Sequence, residues 1–93
     1  MINKKIKNIR KKLDLLDNHF LKLIKKRSSL VNQVLAQKKY KKEIIDRKRI
    51  KVILKKIRFK SIDMGVDHKV TDRIWKSMIQ AFIDYEFRKF KKK

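Results

Sequence analysis

Residues 6–38, IKNIRKKLDLLDNHFLKLIKKRSSLVNQVLAQK, decide the fold. Ile6, Ile9, Leu13, Leu16, Phe20, Leu23, Leu30 and Val34 recur at steps of three and four, with Arg27 and Lys38 on the same line. Such spacing belongs to a helix that packs one stripe against other helices. No Pro or Gly interrupts it, so one helix is expected from Met1 to about Tyr40. At 1.5 Å per residue it extends roughly 50 Å, against a radius of gyration of about 12 Å for a compact domain of this length. The rest of the chain is too short to cover it, and a homodimer is the expectation.

Two seam positions are cations. A buried Arg or Lys is costly unless an anion meets it. Eleven residues make about three turns, so Arg27 and Lys38 point within roughly 20° of each other. The seam therefore reads as a core opening into an anion-binding pocket. The plain alternative is that basic residues fall on any stripe of so basic a chain and keep their heads in water.

Composition narrows the choices. The 93 residues carry a net charge of +21 and no cysteine, which excludes disulfides and thiolate metal sites. They are expected to form one domain, residues 1–93. His19 and His68 lack helical metal-ligand spacing, and His19 reads as solvated. No metal or other cofactor is expected. No apolar run is long enough to span a membrane, and a cytoplasmic protein is the expectation. The charge raises nucleic acid as a partner. However, it is spread along the chain and is mostly Lys, while Phe20, Trp75, Phe82 and Phe90 fall on apolar stripes where they pack rather than stack on bases.

After the long helix, KKYKKEII (residues 38–45) loses the pattern and reads as a loop. Asp46 is a candidate N-cap for a second helix carrying Ile50, Ile53, Leu54 and Ile57, fading around Phe59 to Met64. Gly65 suits the left-handed position after a helix end. Asp67 caps a third helix expected to bury Val70, Ile74, Trp75, Met78, Ile79, Phe82, Ile83 and Phe87, ahead of a solvated KFKKK tail. Glu86 interrupts this last stripe, and a buried carboxylate must find a cation or a proton. Three helices thus each bring ionisable groups towards a shared interior: Arg27 and Lys38, Arg49 beside Asp46, and Glu86.

This pattern resembles the all-helical class of chorismate mutases, small three-helix chains that form intertwined dimers. IRKKLDLLDNHFLKLIKKRSSLV (residues 9–31) resembles the family's first helix, with its Ile-Arg opening, Leu-Asp pairs and later Arg. IIDRKRIKVI (44–53) resembles the start of its second helix, and WKSMIQAFIDYE (75–86) its last. The resemblance implies an all-α, intertwined homodimeric bundle that rearranges chorismate to prephenate in aromatic amino-acid biosynthesis. It assigns Arg10 to the partner protomer's site, Arg27 to a substrate carboxylate, and Lys38 to a carboxylate and the ether oxygen. Asp46 and Arg49 take the second-helix roles, and Glu86 takes that of the Gln or Glu that hydrogen-bonds the breaking ether oxygen. Arg10 lies roughly 100° around the helix from Arg27, so it cannot join Arg27 in one pocket.

Two positions depart from the family pattern. Ile50 stands where many members have a Glu that binds the ring hydroxyl, and Phe82 stands in place of a small polar residue. An apolar residue at position 50 is similar to the isochorismate-pyruvate lyase branch of the same fold. That activity is the alternative within enzymes. A basic helical nucleic-acid-binding protein and a pure helical assembly module are the alternatives outside them.

Overall fold

The computed structural model describes residues 3–91. Three α-helices follow in order: α1 (Lys4–Gln37), α2 (Arg47–Asp63) and α3 (His68–Lys89), with a single 3₁₀ turn (Lys41–Glu43) between α1 and α2. No strand occurs among the described residues, and the fold is all-α. The Met1 end of the expected first helix lies outside them.

Local chemistry accounts for each boundary. Asn3 Oδ1 accepts the Ile6 N–H at 2.9 Å and starts α1. Asp46, as expected, caps α2 by accepting the Arg49 N–H at 3.0 Å. Asp67 caps α3 through the Lys69 N–H at 2.8 Å. Gly65 adopts φ +71° after α2. Its N–H donates to Ile62 O, and that of Val66 donates to Ser61 O at 2.8 Å, the paired bonds of a Schellman ending.

This ending corrects the expectation that α2 fades from Phe59, since α2 keeps its geometry to Asp63. A part-buried hydroxyl pair secures the same turn. Ser61 Oγ donates to Ile57 O at 2.7 Å and meets Thr71 Oγ1 at 2.7 Å, tying the end of α2 to the start of α3.

Two compact units make up the chain, Met1–Val31 and Asn32–Lys93. The first consists of α1 up to Val31. Its stripe residues Ile6, Ile9, Leu13, Leu16, Phe20, Leu23 and Leu30 are exposed, and His19 is exposed as expected.

The second unit has a small core of Leu35, Ile44 and Ile83, with Ile50, Ile79 and Phe90 packed against it. Here the seam needs correction. Leu35 is buried at 8% exposure, whereas Val34, on the expected seam, is 54% exposed. A true α-helix drifts by roughly 20° per heptad from a 3.5-residue repeat. Over the four heptads from Ile6 that comes to about 80°, nearly one residue's turn, so Leu35 replaces Val34 on the line.

α3 buries a narrower face than expected. Val70 and Ile74 are 52% and 48% exposed. They lie roughly 140° and 180° around the helix from buried Ile83, which places them on the far side. Phe87 is also exposed, at the edge of the face. The tail is less solvated than expected: Phe90 N–H donates to Glu86 O at 2.8 Å, and the ring packs on the core. Lys92 and Lys93 of that tail lie outside the described residues.

Candidate functional site

The second unit joins its ends through one ion pair. Lys38, the first residue beyond α1, donates from Nζ to Oε1 of Glu86 at 3.0 Å. Glu86 comes from the last turns of α3, three residues after buried Ile83 and four before Phe90, so the core face of the helix carries it inward. It is only 7% exposed. Of the two expectations for a buried Glu86, a cation or a proton, the structure shows the cation, Lys38. An ammonium has three N–H donors, so Lys38 can hold Glu86 and still donate to a further acceptor.

The loop that delivers Lys38 is tightly organised. Lys38 N–H donates to Leu35 O at 3.1 Å, closing the last turn of α1. Glu43 Oε2 accepts the N–H groups of Lys39 at 2.6 Å and Tyr40 at 2.9 Å. The Tyr40 bond, then the Lys39 bond, hold the Glu43 carboxyl below the usual carboxylate range; desolvation opposes them, and the charges of Lys38 and Lys42 add to them. Ile44, 3% exposed, anchors the end of the loop in the core.

Asp46 shares a surface hollow with Lys38, lined also by Glu43, Ile45, Arg47 and Lys48. Asp46 is exposed, and one of its oxygens is engaged in capping α2. The Arg49 side chain is exposed, and its backbone rather than its guanidinium meets Asp46. Ile50 is half-buried against Leu35, Ile44 and Ile83. Phe82 is half-buried and meets the Tyr85 ring edge-on, centroids 6.2 Å apart. Tyr85 in turn donates its hydroxyl to Asn32 Oδ1 at 2.8 Å, a second bond between the end of α1 and α3.

Arg10 and Arg27 belong to the first unit, where Arg10 is exposed and Arg27 half-buried. The second unit thus brings Lys38 together with Glu86, sets Asp46 in the Lys38 hollow, and packs Ile50 on the core beneath. Sequence reasoning missed Glu43 and the Tyr85–Asn32 bond. Glu43 did carry a signal, as the one acid among the lysines of KKYKKEII. Among the described residues no group of His, Asp or Glu could hold a metal ion, and no helix is long and apolar enough to cross a membrane.

No curated protein and no solved structure matches this chain. The family described as chorismate mutase type II matches residues 9–87, from the second residue of the α1 stripe to the residue after Glu86, and the chain belongs to that family.

Proposed function

We propose that this protein is a chorismate mutase that converts chorismate to prephenate for phenylalanine and tyrosine biosynthesis in the cytoplasm. The Lys38–Glu86 pair at 3.0 Å carries the reading, because it sets a cation and a carboxyl side by side at the positions where the family handles the ether oxygen.

The rearrangement is unimolecular: one C–O bond breaks as one C–C bond forms, with no nucleophile and no general base. The protein has two tasks. It holds the compact conformer of a dianion, and it stabilises negative charge developing on the ether oxygen. Arg27 and the Arg10 of a second copy clamp the side-chain carboxylate by bidentate pairing. Arg49 meets the ring end or supports Asp46, and Asp46 serves the ring hydroxyl.

Lys38 donates to the ether oxygen from one side and Glu86 from the other. Glu86 can donate only when protonated. Its Oε1 already accepts from Lys38, which leaves Oε2 for the substrate. Glu86→Gln keeps a donor at this position and is expected to retain turnover, whereas Glu86→Ala loses the donor and is expected to lose most of it. Full turnover in Glu86→Ala removes Glu86 from this role.

A second copy of the chain fits the exposed apolar line of the first unit, because an isolated helix gains little stability in water without packing its apolar face. The homodimer and the crossed-over Arg10 are therefore part of the proposal.

Ile50 favours a second reading, isochorismate-pyruvate lyase, in which the same cations promote an elimination. Loss of chorismate absorbance with prephenate as product supports the mutase. Turnover of isochorismate to salicylate and pyruvate, with little turnover of chorismate, selects the lyase. Inertness towards both, with salt-sensitive RNA or DNA binding, overturns the enzyme reading.

A further inference from the structure

We propose that Glu43 is a positioning residue for Lys38, clamping the backbone just beyond it so that the ammonium is held at Glu86. The inference rests on the enzymatic reading above for its activity arm, and on the geometry of the second unit for the rest.

Lys38 leaves α1 with its own N–H already bonded to Leu35 O. The next two N–H groups, of Lys39 and Tyr40, point beyond the helix end and have no helical carbonyl to meet. Both converge on one oxygen, Glu43 Oε2, at 2.6 and 2.9 Å. The return half of the turn is fixed in backbone: Glu43 N–H donates to Tyr40 O and Ile44 N–H to Lys41 O, both at 3.0 Å. Ile44 then drops into the core with Leu35 and Ile83. The Lys38 backbone is thus held between a helix end on one side and a carboxylate-closed ring on the other.

A lysine needs that support more than most residues. Its four-carbon stem has many rotamers, and an ammonium imposes no planar geometry of its own. Fixing the backbone at residues 38–40 reduces the freedom to the side chain alone, which Glu86 then completes. Glu43 itself is exposed and lines the hollow that Lys38 and Asp46 share. It is close enough to govern the site without belonging to the reacting groups. A Gln in its place keeps an oxygen that accepts both N–H groups, whereas an Ala keeps none.

The test compares Glu43→Ala and Glu43→Gln in the full chain by two readouts. The first is kcat and KM on chorismate. Misplacing a donor by a fraction of the reacting distance predicts that Glu43→Ala lowers kcat about tenfold with little change in KM, and that Glu43→Gln restores kcat to within about twofold of the parent. The second is the NMR signal of the Lys38 ammonium, which the Glu86 contact slows and shifts. It is expected to persist in Glu43→Gln and to merge with the solvated lysines in Glu43→Ala. An Ala variant with a retained Lys38 signal, or a Gln variant as impaired as the Ala one, overturns the proposal. If the parent protein turns over neither chorismate nor isochorismate, the activity reading fails, and the ammonium signal still decides the role of Glu43.

Discussion

The chain up to Val31 and the chain from Asn32 treat similar residues in opposite ways. Leu30 is exposed while Leu35, a turn and a half later on the same helix, is buried. In the first unit a full apolar stripe faces water; the second holds a core of three residues with three more packed on it, and a part-buried ion pair. The second unit is completed by its own sequence, and the first has an apolar face without a matching one of its own. Stability assigned to the second unit is therefore intramolecular, and that of the first depends on what meets the stripe.

Truncations break or sharpen this contrast. Ile83→Ala removes a core side chain and is expected to destabilise the protein by about 3 kcal/mol at any protein concentration, read by urea unfolding. Leu16→Ala is expected to act only through association, costing more as dilution weakens the proposed dimer. An effect of Leu16→Ala independent of concentration would erase the distinction between the two units. Lys38→Ala removes a preorganised donor and is expected to lower turnover at least about a hundredfold, or roughly 2.7 kcal/mol in activation free energy. Near-normal turnover would separate the ion pair from the chemistry.

Smaller effects probe the loop and its caps. Asp46→Ala is expected to cost about 1 kcal/mol through the lost α2 cap, measured by thermal unfolding. The lowered pKa of Glu43 makes a pH prediction with a definite sign. Its folded-state pKa lies below the unfolded value, so its stabilisation is fully present above the ordinary carboxylate range and is lost as pH falls through the folded value. The Lys39 and Tyr40 amide shifts should follow that titration, and Glu43→Gln should abolish it.

Much of this was legible in sequence for reasons that are local. The caps at Asp46 and Asp67 and the left-handed Gly65 each depend on a side chain and its immediate backbone. Glu86 was legible because an acid on an apolar stripe demands a partner, although its partner comes from 48 residues away. Three features were less so. The change from Val34 to Leu35 is an accumulated helical phase that heptad counting does not track. Ile44 sits in a loop without periodicity, so nothing in its neighbours marks it as core. The clamp at Glu43 depends on how the chain turns after α1, which no repeat encodes.

The most direct test of the central claim mixes two variants that are each expected to be inactive. Arg10→Ala and Lys38→Ala damage different parts of a site proposed to be shared between copies. After subunit exchange, half of a statistical mixture is heterodimer, and each heterodimer has one site with both residues intact. Conversion of chorismate to prephenate should therefore return to about a quarter of the parent rate. A mixture as inert as either variant alone would contradict a site completed by a second copy.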